Sequence, residues 1–126
     1  MSNKMKLIWL VDDSVASNLL NQKLIESLNK EIYVESYTMA ESAINKLKKE
    51  DVKVDLILLD INMPAMDGWE FIEEFQSIKE KLKLNCRLIL LSTSLNPKDR
   101  NRSQETEVVD QYIQKPLSRE RLKDIL

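Results

Sequence analysis

The chain has 126 residues, enough for one domain with a real core and too few for two ordinary ones. Hydrophobic residues make up 43% and charged residues 32%, a folded composition, and 19 basic against 21 acidic residues leave a formal charge of -2, so no global field recruits nucleic acid or an anionic membrane. The single cysteine excludes an intramolecular disulfide and a thiolate zinc site, and the absence of histidine removes imidazole bases, His-based triads and His-rich metal sites.

The first apolar run, Leu7-Ile8-Trp9-Leu10-Val11, follows a lysine-bearing start and stops at Asp12. It is too short and acid-terminated for a signal peptide or a membrane span, so a cytoplasmic protein is expected. Its lack of alternation suits a strand covered on both faces, and Leu56-Ile57-Leu58-Leu59 and Leu88-Ile89-Leu90-Leu91 are runs of the same kind. Ile32-Tyr33-Val34 and Val108-Val109…Tyr112-Ile113 are shorter and more mixed, and read as a second strand and a fifth.

Helical stretches lie between these runs. Ser14 can cap a helix in which Leu19, Leu20, Leu24 and Leu28 recur at helical spacing, while Asn18, one turn in, reads as an exposed polar residue. Thr38 begins a capping-box pattern with Glu41, ahead of Ala43, Ile44 and Leu47. Asp67 can cap a helix bearing Phe71, Ile72, Phe75 and Ile78, and Asn96-Pro97 looks like an N-cap followed by proline at the first helical position. Ser118 opens a last helix with Leu122, Ile125 and Leu126. Cys86, at the start of the fourth strand, reads as core packing, as do Trp9 and Trp69.

Five strands alternating with five helices predict a doubly wound α/β fold with a parallel sheet. Right-handed crossovers then bring the strand C-termini to one edge, where ligands bind in open parallel sheets. Asp12 and Asp13 follow the first strand, Asp60 the third, Ser92 and Thr93 the fourth, and Lys115 the fifth. Every polar candidate therefore leaves the sheet at the same edge. Two or three carboxylates with a backbone carbonyl offer the hard oxygen ligands that Mg²⁺ takes, and the cation lets an anionic phosphoryl group approach a carboxylate. Lys115 is a compact point charge suited to a phosphoryl oxygen, and a hydroxyl at Ser92 can donate to another. Asp60, the single carboxylate ending a central strand, is the preferred nucleophile. Gly68 is the only glycine, which excludes a GxGxxG loop and a Walker phosphate loop, so no kinase machinery is present.

Val11-Asp12-Asp13-Ser14, then Leu59-Asp60-Ile61-Asn62-Met63-Pro64 followed by Met66-Asp67-Gly68, then Leu91-Ser92-Thr93, and finally Lys115-Pro116 stand in order, each behind its strand. Along nearly its whole length the chain resembles the receiver domain of bacterial two-component response regulators, a single-domain, CheY-like protein spanning 1–126. The resemblance implies a flavodoxin-like five-stranded sheet of order 2-1-3-4-5 with helices on both faces. It implies that Asp60 accepts a phosphoryl group from a histidine kinase or a histidine phosphotransfer protein. Asp12, Asp13, Asp60 and the main-chain carbonyl of Asn62 would hold Mg²⁺, and Ser92 and Lys115 would bind the phosphoryl oxygens. Ser92 stands where the family usually has threonine; a slip of one residue would give the switch role to Thr93 instead. Tyr112 matches the aromatic that moves inward on activation, and the face of the fourth helix, fifth strand and fifth helix would meet a downstream protein.

The resemblance implies a phosphoacceptor that promotes its own Mg²⁺-dependent phosphorylation and dephosphorylation, not an enzyme in the ordinary sense. With no output domain read behind it, the chain is expected to signal by docking or to pass the group onward, without binding nucleic acid or membrane directly. It would act as a monomer or a phosphorylation-dependent dimer. A receiver-like interaction module that does not use phosphate is the alternative. A small flavin-binding or hydrolytic α/β enzyme is a further one, set back by the missing glycine-rich loop and the missing histidine.

Overall fold

The computed structural model of the chain describes residues 5–49, 53–63, 68–93 and 97–126. Ten elements alternate in chain order: β1 (Leu7–Val11), α1 (Val15–Leu28), β2 (Tyr33–Tyr37), α2 (Ala40–Leu47), β3 (Leu56–Asp60), α3 (Gly68–Leu82), β4 (Arg87–Ser92), α4 (Pro97–Glu105), β5 (Gln111–Gln114) and α5 (Arg119–Ile125). The strands form one parallel sheet in the order β2-β1-β3-β4-β5. This is the doubly wound order expected for the fold.

The three unbroken apolar runs are the three central strands. Every residue of β3 is buried, because helices cover both of its faces. Alternate strand residues divide between two cores. Trp9, Val11, Ile57, Leu59, Leu88 and Leu90 pack with Ala43, Ile44 and Leu47 of α2 and with Phe71, Ile72 and Phe75 of α3. Ile8, Leu10, Leu56, Leu58, Ile89 and Leu91 pack on the other side with Ile25 of α1 and with Leu122 and Ile125 of α5. The edge strands are polar: β5 reads Gln-Tyr-Ile-Gln, with only Ile113 buried.

Two helix starts follow the residues that sequence assigns to them. Ser14 Oγ accepts from Ser17 N at 3.1 Å and Ser118 Oγ from Arg121 N at 3.1 Å, each satisfying one of the free amides of a first turn. Pro97 is the first residue of α4. The expected caps Asp67 and Asn96 lie outside the described residues. The capping box at Thr38 does not form: α2 begins at Ala40, and Met39 holds the cap position without a side-chain hydrogen bond. Burial of Ala40, Ala43, Ile44 and Leu47 on one stripe sets that start, and tertiary packing overrides the local signal.

The short strands are shifted from their apolar residues. β2 runs from Tyr33 to Tyr37, so Ile32 precedes it, and Val108 and Val109 lie in the turn before β5. Helix α1 departs further. Asn18 and Ile25, seven residues apart, are its buried residues, whereas Leu19 and Leu20 are 51% and 69% exposed. The expectation that Asn18 is exposed is therefore wrong.

Candidate functional site

At the C-terminal edge of the sheet, Asp12 and Asp13 leave β1 while Asp60 ends the adjacent β3. The order β2-β1-β3 makes this the switch point, where successive crossovers diverge and leave a crevice. Each of the three carboxylates offers an oxygen within 4.8 Å of the others. Asp12 and Asp60 are buried and Asp13 is exposed, so the cluster has a dry floor and a wet rim.

Lys115 comes from the far side of the sheet, one residue beyond β5. Its Nζ donates to Asp12 Oδ2 at 2.6 Å and stands 3.6 Å from Asp60 Oδ2. Its main chain is tied in too, since Lys115 N donates to the Ser92 carbonyl at 2.8 Å. One lysine among three carboxylates leaves about two negative charges uncompensated in a partly desolvated pocket, a costly arrangement without a cation. The donor set is all hard oxygen, which suits a small divalent cation such as Mg²⁺.

Burial holds the Asp60 carboxyl above the ordinary carboxylate range. The charges of Asp12 and Asp13 push the same way, while the Asn62 amide and Lys115 oppose them. The amide contact is direct: Asn62 N donates to Asp60 Oδ1 at 3.1 Å. It turns the chain sharply after the strand and fixes one carboxylate oxygen, leaving Oδ2 on the side of the lysine.

Gly68 guards the next turn. A Cβ there would lie 2.3 Å from Ile61 Cα, and Gly68 N donates to the Ile61 carbonyl at 2.9 Å. Only a residue without a side chain lets α3 start this close to the segment that follows Asp60. Of the intervening motif, Pro64, Met66 and Asp67 lie outside the described residues.

Ser92 is fully buried at the end of β4, beside Gln114 of β5, and Thr93 after it is exposed. Tyr112 is half-buried in β5, paired in register with Leu90, and packs against the α2–α3 core. Cys86, read as core packing, is buried just before β4, and that burial pushes its thiol up to about 12.

Sequence reasoning missed Asn18. Its amide Nδ2 donates to the Asp12 carbonyl at 3.0 Å and reaches the Tyr37 carbonyl at 3.5 Å. The signal was present: Asn18 stands seven residues from the apolar Ile25, two helical turns away on the same face.

Residues 8–126 match the family model for the response regulator receiver domain. The chain is 32% identical over 120 residues to the sensor histidine kinase CheAY of Helicobacter pylori, covering 95% of this chain and 14% of that protein. It is 28% identical to the sensor protein GacS of Pseudomonas syringae over 126 residues, again 14% of that protein's length. The chain thus spans about one seventh of these relatives. Among solved structures, a two-component response regulator from Cytophaga hutchinsonii superposes with a TM-score of 0.87 at 32% identity, covering 98% of this chain and 95% of that one. A response regulator receiver protein from Dyadobacter fermentans gives 0.84 at 27% identity, with coverage of 96% and 94%. The acidic cluster of Asp12, Asp13 and Asp60 is the arrangement typical of the phosphoacceptor site in two-component signalling, and the chain belongs to the response regulator receiver domain family.

Proposed function

We propose that this chain forms one receiver domain over 1–126 and relays a signal by accepting a phosphoryl group on Asp60. The observation that carries the reading is Lys115 Nζ lying between Asp12 and Asp60 at the edge of three clustered carboxylates. The donor is a phosphohistidine on a histidine kinase or a histidine phosphotransfer protein in the cytoplasm. An Asp60 oxygen attacks phosphorus, the P–O bond forms as the P–N bond breaks, and the departing imidazole keeps the electron pair and takes up a proton. The product is an acyl phosphate, later hydrolysed to restore the carboxylate.

Asp12, Asp13, Asp60 and the Asn62 main-chain carbonyl would hold Mg²⁺. When bound, the cation supplies positive charge against the incoming phosphoryl oxygens. The chain's own residues do the rest. The Asn62 amide pins one Asp60 oxygen, so the other is presented to the donor. Lys115 neutralises a phosphoryl oxygen and exchanges its Asp12 contact for the new anion. The buried Ser92 hydroxyl donates to another oxygen; its burial at the strand end, against the exposure of Thr93, favours Ser92 for this role.

Phosphorylation adds roughly 1.5 to 2 negative charges and three acceptor oxygens. Ser92 and Tyr112 transmit that change to the face of α4, β5 and α5, where Arg100, Gln104, Gln111, Tyr112 and Arg121 line one hollow open to a downstream protein. Among the described residues, no helix is long and apolar enough to cross a membrane.

The test is incubation with Mg²⁺ and acetyl phosphate, followed by intact mass measurement. The reading expects an acid-labile gain of one phosphoryl group. Absence of any adduct, with a cognate kinase as well, together with absence of Mg²⁺ binding, would assign the chain to the interaction modules that do not use phosphate.

A further inference from the structure

Asn18 is 3% exposed, yet it belongs to the first turns of a helix whose neighbouring residues Leu19 and Leu20 face solvent. Its Nδ2 joins three segments: α1, the carbonyl of Asp12 where β1 ends, and the carbonyl of Tyr37 where β2 ends. The Tyr37 carbonyl also accepts from Asp12 N at 3.0 Å, so this one acceptor ties the two strand ends to each other and to the helix. Around the acidic pair the bonds close a ring. Asp12 Oδ1 accepts from Ser14 N at 2.9 Å, the Ser14 carbonyl accepts from Asn18 N at 3.1 Å, and Asn18 Nδ2 returns to the Asp12 carbonyl.

That ring fixes the peptide planes on both sides of Asp13. The Asp13 side chain is exposed and makes no side-chain hydrogen bond of its own within the ring, so its direction follows from those planes. We propose that Asn18 is a positioning residue that, by clamping the Asp12 carbonyl, aims the Asp12–Asp13 pair so that their carboxylates converge with Asp60 on a divalent cation. This rests on the phosphoacceptor reading of the site. Asn18 itself does not touch the cation.

A purely structural role would look different. The Asn18 Oδ1 atom is buried and without a hydrogen-bond partner among the described residues. An orphaned buried acceptor opposes folding. Leucine has nearly the same shape and removes the orphaned acceptor, but it also takes the donor from the Asp12 carbonyl, so the two effects on stability oppose each other. The clamp is what leucine cannot supply.

The experiment compares wild type with Asn18→Leu, Asn18→Ala and Ile25→Ala by calorimetric Mg²⁺ titration, thermal unfolding without metal, and amide NMR of the metal-free protein. Ile25→Ala loosens the same helix two turns away from the loop. The proposal expects Asn18→Leu to lose on the order of tenfold in Mg²⁺ affinity, as removal of a group orienting a metal ligand does, with a smaller fall in unfolding midpoint than Ile25→Ala shows. Asn18→Ala should show the same loss if leucine does not fit. In both, the Asp13 and Ser14 amides should shift and exchange faster before any metal is added. Ile25→Ala should lower the midpoint and leave the affinity within twofold. Wild-type affinity in both Asn18 variants overturns the proposal, as does an affinity loss that tracks lost stability in all three. A wild-type protein that binds no Mg²⁺ removes the phosphoacceptor reading and this inference with it.

Discussion

The two edges of the sheet spend their carboxylates differently. At the N-terminal edge, Asp55 accepts the amides of Lys6 and Leu7 at 2.8 and 2.9 Å, and Asp110 accepts the Leu88 amide at 2.7 Å. Each works alone, closing the start of a strand with charge-assisted hydrogen bonds. At the C-terminal edge, Asp12, Asp13 and Asp60 converge on one another and share a single lysine. The same residue type is a structural cap at one edge and a chemical group at the other. What separates them is company: Asp55 and Asp110 meet main-chain amides, whereas Asp12 and Asp60, though each also accepts one amide, lie against other carboxylates and ask for a cation.

The largest effect that would break this contrast is the loss of labelling. Asp60→Asn should abolish the acid-labile adduct formed with acetyl phosphate and Mg²⁺, read by intact mass. Asp55→Ala should leave labelling intact and lower the unfolding free energy by about 1.5–3 kcal/mol, the worth of hydrogen bonds to a charged group, read by urea denaturation. An adduct persisting in Asp60→Asn would move the nucleophile elsewhere. Lost labelling in a folded Asp55→Ala would dissolve the distinction between the edges.

Next in size is Gly68→Ala. The added methyl would lie 2.3 Å from Ile61 Cα, a main-chain atom, so rotamer change cannot relieve it. The expected cost is about 1–3 kcal/mol in denaturant midpoint analysis, with slower labelling because the segment after Asp60 must shift. Unchanged stability and rate would show that α3 can retreat freely.

Lys115→Ala separates the two jobs of the site. Labelling should fall, because a phosphoryl oxygen loses its counter-charge. Mg²⁺ affinity should rise severalfold, because Asp12 loses an ammonium that competes for its buried carboxylate. Calorimetry reads the second effect. Weaker Mg²⁺ binding would mean instead that the lysine holds the carboxylates in place.

How much of this was legible beforehand follows from which forces were local. Continuous apolar runs announced β1, β3 and β4, and chain order alone put Asp12, Asp13, Asp60, Ser92 and Lys115 at one edge. The polar edge strands were harder, since β5 takes its place from pairing with β4 and carries only one buried residue. Thr38 offered a local cap that the packing of α2 overrode. Asn18 was misread because a polar residue near a helix start is ordinarily solvated. Its burial depends on three segments meeting, which no single stretch of sequence displays.

The smallest expected effect tests whether the cluster is strained in the way the comparison implies. Burial raises the Asp60 carboxyl above its ordinary range, with Asp12 and Asp13 adding to it. A carboxyl with a raised folded-state value favours the folded protein at low pH, and loses that contribution as pH rises through the folded value. In metal-free buffer near neutral pH, Asp60→Asn should therefore unfold at a slightly higher temperature than wild type. The advantage should shrink as pH falls toward the ordinary carboxylate range of about 4. Adding Mg²⁺ should reverse the order, since a ligand at ten times its Kd stabilises wild type by about 1.4 kcal/mol and the variant by less. A wild type more stable than Asp60→Asn at neutral pH without metal would mean that Lys115 and the Asn62 amide already outweigh the burial of Asp60, and that the cluster needs no cation to rest comfortably.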